Sequence, residues 1–456
     1  MASWWFQSLF SEVNYMSRRK KKLPVDPVTT TIESLTHEGK GVTHIDGKTV
    51  FIHGALAGEE VRFQYLRQHR RYDEGKVVEV LKASHLRIEP KCQHFGLCGG
   101  CSLQHLDPAE QINIKQQVLL DNLQRIGKVT PEEILPPLTG PVWGYRRKAR
   151  LGVRHVRKKE KVLVGFREKG TGYLAELERC EVLHPSVGPY LVQLAELVRS
   201  LSCYEQIPQI EVAVSDEQTA LVFRHLVELT GDDKGKLTDY AKQHDICVYL
   251  QAAGPDSITP LWPEEPKLMY RLDEYDVNIA FEPNDFVQVN SEINHKMIKL
   301  AIELLDLQKD DNVLELFCGV GNFSFAMARQ AEHVTAVEGE KVLVERARQN
   351  AELNNITNTE FHVADLFAVD PQTPWLKQEY SKILLDPART GADGILPLLK
   401  KMKVPRIVYV SCNPATLARD AGILCNEYGY KLKKAGVMDM FPHTAHVESI
   451  ALFERR

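Results

Sequence analysis

The regular alternation of apolar strands and helices beyond Phe281 constrains the fold of this chain more than any other feature. An apolar strand at 312–316 leads through a turn at 317–322 into a helix. Further strands are predicted at 333–338, 360–365, 382–386 and 406–412, and a further helix at 341–354. Strands that alternate with helices form a mostly parallel, doubly wound α/β sheet, in which ligands bind beyond the carboxyl ends of the strands.

Acidic residues and glycines at these strand ends indicate which ligand the sheet binds. Gly319 and Gly321 let the backbone approach a ligand closely, and a nicotinamide dinucleotide would also fit such a turn. The third glycine of the dinucleotide fingerprint is missing, however. Glu338, Asp365 and Asp386 end three successive strands, a poor environment for phosphate and a good one for a sulfonium cation. The pattern therefore favours S-adenosylmethionine.

A cysteine lies at the tip of the fifth strand, within the Ser-Cys-Asn-Pro sequence at 411–414. Cys318 is consistent with packing in the core, whereas Cys412 is placed where such a sheet presents side chains to a ligand. Glu448 precedes a last apolar strand at 449–453. A surface charge is the alternative for Glu448, but entry into a buried strand favours a role at the same site.

Three cysteines are concentrated in one short loop of the middle section. Cys92, Cys98 and Cys101 are close in sequence, two glycines precede the last of them, and Cys180 is the next cysteine along the chain. Four thiolates suit either zinc or an iron–sulfur cluster, and this spacing leaves both open. The chain has nine cysteines and no export signal, so a reducing compartment is expected.

The residues from about 25 to 83 predict a small closed β-barrel of the oligonucleotide-binding type. Asp46-Gly47 is a strong tight-hairpin signal, because glycine accepts the positive φ that the turn requires. The predicted strands are 29–35, 41–45, 49–53, 60–66 and 75–81. The cations Arg62, Arg67, Arg70, Arg71 and Lys76 indicate either RNA binding or an ordinary charged surface.

A basic segment at 143–169 follows a helix predicted at 107–126. It contains eleven Lys and Arg against two acids, with Trp143, Tyr145, His155 and Phe166 interleaved. Cations attract phosphates and exposed rings stack on bases, so the segment favours a single-stranded RNA or DNA surface over a merely solvated face. The net charge of -4 excludes a uniformly basic binder but not a local basic surface.

The first residues contain a second methionine and a short basic run. One hypothesis is that translation starts at Met16, which would make the first fifteen residues an upstream extension. The run at 18–22 is a solvated tail or an RNA contact. The apolar residues before it lack the features of a signal peptide.

Several motifs together resemble one enzyme family. These are the cysteine loop followed by Gln104-His105, Phe-Val-Gln-Val-Asn at 286–290, taken as a strand, Leu-Phe-Cys-Gly at 316–319, Ser-Cys-Asn-Pro, and His-Val-Glu at 446–448. From about Val25 to the C-terminus, the chain resembles the bacterial RNA 5-methyluridine methyltransferases. It is most similar to the 23S ribosomal RNA uracil-C5 enzymes that carry a TRAM domain and an iron–sulfur cluster.

The resemblance implies a Rossmann-like S-adenosylmethionine-dependent methyltransferase domain, an N-terminal TRAM barrel and a central α+β RNA-binding domain with a [4Fe–4S] cluster. The implied cluster ligands are Cys92, Cys98, Cys101 and Cys180. The implied cofactor contacts are Gln288, Phe317, Asn322, Glu338, Asp365 and Asp386. The implied domains are an extension at 1–24, TRAM at 25–83, the central domain at 84–106 and 138–280, and the methyltransferase domain at 107–137 and 281–456.

The implied reaction is methylation of C5 of a uridine in 23S ribosomal RNA, expected at uracil-1939. Uracil C5 is a weak nucleophile, and addition of the Cys412 thiolate to C6 converts the ring into an enolate. Glu448 is the expected general base that removes the C5 proton. The family usually has two prolines and an arginine after the strand-end aspartate, but here the residues are Pro387-Ala388-Arg389.

Three alternatives remain at this stage. The first is methylation of another ribosomal uridine or of transfer RNA. The transfer-RNA enzymes of the family are expected to lack the barrel and the cluster, so both features weigh against a transfer-RNA substrate. The second is a non-catalytic RNA-binding protein, which leaves Cys412 and Glu448 unexplained. The third is a radical enzyme, whose usual Cys-x3-Cys-x2-Cys spacing is absent. We expect a cytoplasmic monomer with no membrane association and no obligate protein partner.

Overall fold

The computed structural model describes residues 23–36 and 38–455, which form two compact units. The first unit contains the described residues up to 36 together with 40–84, and the second contains the remainder. Met16 and the basic run at 18–22 lie outside the described residues. Within the described part of the chain, no helix combines the length and apolar character that a membrane span requires.

The first unit is a six-stranded barrel whose sheet order is β1-β5-β6-β4-β3-β2. Its strands are β1 (Val28–Thr31), β2 (Ser34–Leu35), β3 (Gly41–Ile45), β4 (Lys48–His53), β5 (Glu60–Gln68) and β6 (Tyr72–Lys82). The segment 28–35 pairs with β5 through its first half and with β3 through its second half, which closes the sheet. Asp46 and Gly47 both have positive φ, as the hairpin prediction requires. The predicted barrel is confirmed, with the expected first strand broken at Ile32.

The second unit begins its regular structure with the predicted helix, α1 (Pro108–Asn122). Asp107 accepts a hydrogen bond from the Ala109 amide (2.8 Å), so it caps the helix as its sequence position predicts. A π-helical turn at Leu123–Gly127 and the short strand β7 (Glu133–Ile134) follow.

A six-stranded sheet of order β13-β12-β11-β10-β8-β9 occupies the middle of the chain. The basic segment supplies its edge hairpin. The elements are β8 (Lys148–Val156), β9 (Lys161–Gly165), α2 (Leu191–Ser200), β10 (Gln209–Val214), β11 (Thr219–Arg224), α3 (Gly231–His244), β12 (Cys247–Gln251) and β13 (Ile258–Trp262). A separate hairpin of β14 (Met269–Leu272) and β15 (Val277–Ala280) follows.

An eight-stranded sheet of order β18-β17-β16-β19-β20-β22-β21-β7 forms the remainder. Its first five strands are parallel, and β22 is inserted antiparallel between β20 and β21. The elements are α4 (Ser291–Leu305), β16 (Asn312–Leu316), α5 (Ser324–Ala328), β17 (His333–Glu338), α6 (Lys341–Leu353), β18 (Thr359–Val363), β19 (Lys382–Leu385), α7 (Leu396–Met402), β20 (Arg406–Ser411), α8 (Pro414–Glu427), β21 (Tyr430–Met438) and β22 (Glu448–Arg455).

The predicted doubly wound sheet is confirmed, but one predicted strand is wrong. Residues 286–290 form no ladder, and Asn290 makes only an isolated bridge to Arg146. The physical reason is the helix that follows: the Asn290 side chain caps α4 by accepting a hydrogen bond from the Ile293 amide. The division of the second unit into two domains stays a prediction.

A buried ion pair anchors the connection between β21 and β22, which we call the 439–447 loop. Lys115 of α1, only 2% exposed, donates hydrogen bonds to Asp439 Oδ1 (2.7 Å) and to the carbonyl oxygen of Phe441 (2.9 Å). Helix α1 packs on α8 and β21, so this lysine reaches the loop from within the core. Removal of either partner leaves the other charge buried.

We therefore expect Lys115→Met to lower the free energy of unfolding by about 3–5 kcal/mol, measured by denaturant titration. The double variant Lys115→Met/Asp439→Leu should recover a large part of this loss, because no buried charge remains. Lys299→Met removes the lysine of an exposed ion pair with Glu274 and should lower the stability much less, because water screens that pair. Equal losses for the two single variants would contradict the prediction.

Candidate active site

A strained turn follows β16 and leaves open space above it. Phe317 has a φ of +67°, which is unusual for a bulky residue, and its amide donates to the Val337 carbonyl (2.8 Å). Gly319 also has positive φ, and a Cβ placed on it would meet nothing within 4 Å. At Gly321 a Cβ would lie 2.3 Å from the Phe325 ring, so that glycine serves packing. Gly319 is thus the position at which a ligand can approach the backbone.

The strand-end carboxylates predicted from sequence lie along this edge. Glu338 accepts hydrogen bonds from the amides of Gly319 (3.1 Å), Gly339 (2.6 Å) and Glu340 (3.1 Å), so it is fixed against the glycine turn. Asp365 accepts from the amide of Phe367 (2.9 Å) two residues beyond β18. Burial raises the pKa of Asp386, directly after β19, to about 7.

Asn322 is committed to contacts within the protein. Its side-chain amide exchanges two hydrogen bonds with that of Asn294 (2.9 and 3.0 Å), and its oxygen also accepts from the Tyr270 hydroxyl (2.8 Å). The side chain therefore holds the glycine turn against α4 and β14. Gln288 is partly exposed, on the segment that leads to the α4 cap.

Cys412 and Glu448 are brought together by strand register. Ser411 of β20 pairs with Ser449 of antiparallel β22, so Cys412 and Glu448 are the next facing residues. Burial raises the pKa of the Cys412 thiol to about 11, and the negative charges of Glu448 and Asp386 add to the rise. Burial, followed by the charge of Asp386, raises the pKa of Glu448 to about 8.

Arg389 is the cation that opposes both of these rises. Its carbonyl oxygen accepts from Asn413 Nδ2 (3.0 Å) and Thr416 Oγ1 (3.3 Å), which ties its loop to the start of α8. Its Nη2 atom donates to His446 Nδ1 (3.2 Å). The loop is therefore held even though Ala388 replaces the second proline of the family pattern.

A further buried acid, which the sequence argument missed, lies below the turn. Glu315 of β16 is buried and accepts a hydrogen bond from the Ser324 hydroxyl. Burial, with the nearby charges of Asp386 and Glu338, raises its pKa to about 8. An acid within an otherwise apolar strand was the signal that could have identified it.

The four predicted cysteine ligands line one cavity of about 270 Å³. The loop that carries them is folded by local contacts: the Cys92 amide donates to Gln104 Oε1 (3.2 Å), and the Gly100 amide points at Cys98 Sγ (3.4 Å). Burial raises the pKa of all four thiols, that of Cys101 to about 12. Among the described residues, no three His, Cys, Asp or Glu side chains are grouped as ligands of a metal ion.

The basic segment does not present the free aromatic rings that its sequence predicted. Trp143 stacks on His443 with ring centroids 3.9 Å apart, and the buried Tyr145 donates to the Pro442 carbonyl (3.0 Å). Phe166 packs against a hydrophobic core. These rings find partners inside the protein, so the expectation of base stacking by them is wrong.

Several cations of the segment are likewise paired with acids. The pairs are Arg147–Asp216, Arg150–Glu211, Arg157–Glu205, Lys159–Glu176 and Lys161–Glu176. Arg154, Lys158 and Arg167 are exposed and remain available to a polyanion. The cationic surface is therefore smaller than the count of basic residues indicates.

Comparison with known proteins identifies the class and then the family. The family model described as tRNA (Uracil-5-)-methyltransferase matches residues 265–369 and 374–456, and the TRAM domain model matches residues 24–80. A solved Pyrococcus abyssi tRNA (uracil-54, C5)-methyltransferase in complex with S-adenosyl-L-homocysteine has the same fold. Its TM-score is 0.72 at 23% identity, over 93% of this chain and 100% of that one. Fold and site thus define an S-adenosylmethionine-dependent methyltransferase.

Curated relatives match nearly the whole chain. The protein named "23S rRNA (uracil(1939)-C(5))-methyltransferase RlmD" from Hahella chejuensis is 53% identical over 96% of this chain and 100% of its own length. That of Methylococcus capsulatus, which has the same name, is 52% identical over 96% of this chain and 99% of its own length. The chain therefore belongs to the RlmD family of RNA uracil-C5 methyltransferases.

The barrel does not separate this chain from the Pyrococcus transfer-RNA enzyme. The Pyrococcus transfer-RNA enzyme aligns with 93% of this chain, and the unaligned remainder is smaller than the TRAM match. The alignment therefore reaches into the residues of the barrel, so the expected absence of the barrel from the transfer-RNA enzymes does not hold for this one. The barrel alone does not distinguish a ribosomal substrate from a transfer-RNA substrate.

The raised pKa of Glu448 generates a prediction about stability. Because its carboxyl binds a proton more tightly in the folded chain (pKa about 8) than in the unfolded one, its contribution is full at acidic pH and is lost as pH rises toward 8. We expect Glu448→Gln to lose less stability than the unmodified chain between pH 5 and pH 8 in denaturant titrations. Glu264→Gln, an exposed control, should follow the unmodified chain, and identical slopes for all three proteins would contradict the prediction.

Proposed function

We propose that this chain transfers a methyl group from S-adenosylmethionine to C5 of uracil-1939 in 23S ribosomal RNA, the activity for which its relatives are named. The observation that carries the proposal is the facing pair of Cys412 and Glu448 at the ligand-binding edge of the sheet. The proposal includes a cytoplasmic, monomeric enzyme without an obligate protein partner.

Cys412 is the proposed nucleophile. Its thiol must lose a proton before the sulfur adds to C6 of the uracil. Burial raises the pKa of this thiol to about 11, which favours the neutral form near neutral pH. Arg389 is the side chain whose charge favours the thiolate. The target base has to leave its stack to reach this thiol, because addition occurs on the face of the ring.

Glu448 is the proposed general base. After the methyl group has reached C5, the proton on that carbon must leave before the Cys412–C6 bond can break and the aromatic ring return. A carboxyl with a pKa of about 8 holds a proton well once it has taken it up. The charges of Arg389 and Lys115 oppose the rise, so the carboxylate form remains accessible near neutral pH.

The residues along the glycine turn fit S-adenosylmethionine, which supplies an electrophilic methyl group when bound. The open space at Gly319 admits the cofactor, and Glu338, Asp365 and Asp386 attract its positive charge. We assign further contacts to Gln288 and Phe317. The Asn322 side chain is hydrogen-bonded to Asn294 and Tyr270. We therefore assign the contact of Asn322 with the cofactor to its backbone.

Cys92, Cys98, Cys101 and Cys180 are the proposed ligands of a [4Fe–4S] cluster. All four line one cavity, and four ligands that each bind a different iron lie farther apart than four ligands of a single ion. A zinc ion would draw its sulfurs within about 2.3 Å of one centre. The motifs that resemble the cluster-bearing enzymes favour the cluster over zinc.

The nucleophile is tested with Cys412→Ala. Methyl transfer from labelled cofactor to 23S RNA lacking the modification should be lost, while cofactor affinity should stay within about threefold because the thiol lies outside the glycine turn. Cys203→Ala, which removes a partly exposed cysteine near α2, should retain activity. Full methylation by Cys412→Ala would refute the mechanism, and labelling of transfer RNA instead of 23S RNA would refute the substrate.

The base is tested with Glu448→Gln. Because the C5 proton then stays in place, a covalent protein–RNA adduct should accumulate and survive denaturation as a shifted band in gel electrophoresis. The double variant with Cys412→Ala should form no band. If Glu448→Gln turns over normally without an adduct, another group removes the proton.

The cluster ligands are tested with Cys101→Ser. We expect loss of bound iron and of the visible absorbance of an iron–sulfur protein, measured after anaerobic purification. Cys247→Ala, a buried cysteine of β12, should keep the full iron content. Zinc bound to the unmodified chain in place of iron would overturn the cluster assignment.

A further inference from the structure

One histidine lies between the catalytic pair and the cysteine cavity. His446 lines the cavity together with Thr444. Its Nδ1 atom is also the hydrogen-bond partner of Arg389 Nη2, at 3.2 Å. Two residues later the chain enters β22 at Glu448. The His446 side chain thus lines the cavity of the four cysteines and also contacts the Arg389 guanidinium.

The contact determines the direction of the hydrogen bond. A guanidinium group only donates, so Nδ1 of His446 must accept and the ring proton resides on Nε2. The backbone of Arg389 is already fixed through Asn413 and Thr416, but its long side chain is exposed. Long charged side chains at exposed positions lose much rotamer entropy when held in one place. The His446 ring nitrogen is an acceptor that can hold the guanidinium group in one place.

The backbone around His446 is fixed from the cysteine side. The amides of Ser102 and Leu103, directly after Cys101, both donate to the His443 carbonyl (2.9 and 3.0 Å). Gln111 of α1 also holds His443, because its Oε1 accepts a hydrogen bond from the His443 amide (2.8 Å). Only two residues separate this anchor from His446, so a shift of the cysteine loop displaces the histidine.

We propose that His446 is a positioning residue that holds Arg389 toward Cys412, and that the occupied cysteine site keeps His446 in place. The inference rests on the proposed roles of Cys412 and of the four cysteines. The cysteine site would then do more than stabilise its own loop. When the cluster is lost, the Arg389 guanidinium would move away from Cys412.

The reactivity of Cys412 toward iodoacetamide tests the positioning step, because the thiolate is the species that reacts. The pH dependence is followed by mass spectrometry of the Cys412 peptide in iron-loaded protein. His446→Leu should slow alkylation near pH 8 about fivefold, since one favourable charge is displaced. His446→Asn should restore the rate, because its Oδ1 can accept where Nδ1 did. Arg389→Gln should equal His446→Leu, and the double variant should be no slower than either.

The coupling step is tested by removing iron with a chelator. Alkylation of Cys412 should then slow to a similar extent in the unmodified chain and not change further in Arg389→Gln. Unchanged alkylation in His446→Leu, with iron content intact, would overturn the positioning role. Unchanged alkylation after iron removal, or a chain that binds no iron, would overturn the coupling.

This assay needs neither RNA nor S-adenosylmethionine, so it separates the inference from the proposed function. If methyl transfer to 23S RNA fails while the alkylation pattern appears as expected, the substrate assignment is at fault. If methylation succeeds and the alkylation pattern is absent, the inference is wrong and the function stands. Should His446→Leu fail to fold, the comparison of Arg389→Gln with the unmodified chain before and after iron removal still decides the coupling.

Discussion

The buried ion pair between Lys115 and Asp439 is the contact on which the catalytic edge of the second unit depends. It joins helix α1 to the 439–447 loop, which leads directly into Glu448. Burial of both charges is favourable only if each is compensated, and the Phe441 carbonyl completes the coordination of the ammonium group. The position of Glu448, the proposed general base, therefore depends on a residue more than three hundred positions away and not on its own strand alone.

The electrostatics of the site follow from its burial. Three carboxyl groups, those of Glu315, Asp386 and Glu448, have pKa values raised to between about 7 and 8, so a part of them is neutral in the free protein. The guanidinium of Arg389 lowers the pKa of both Cys412, the proposed nucleophile, and Glu448. Because the neighbouring carboxyl groups add to the rise in the Cys412 pKa, the position of the Arg389 charge matters for the thiolate, which gives the His446 contact its importance.

Local pattern predicted the elements and the strand-end residues well. Strand and helix periodicity depends on neighbouring residues, so the sheet, the glycine turn and the position of Cys412 followed from the sequence. The same reasoning failed for Trp143 and Tyr145, because their partners His443 and Pro442 lie about three hundred residues further along the chain. A ring beside cations has the same sequence signature whether it stacks on a base or on another part of the protein. The segment at 286–290 failed for a different reason, because a helix cap and an edge strand are both extended.

The sequence by itself determined the class of fold, the barrel hairpin at Asp46-Gly47, the spacing of Cys92, Cys98 and Cys101, and the residue types at the strand ends. Each of these depends on residues a few positions apart. Only the tertiary structure decided that Cys412 faces Glu448, that Lys115 and Gln111 hold the 439–447 loop, and that His446 lies between Arg389 and the four cysteines. These contacts join segments that no local period relates, because burial and charge compensation are satisfied by whichever distant side chain the fold brings into reach.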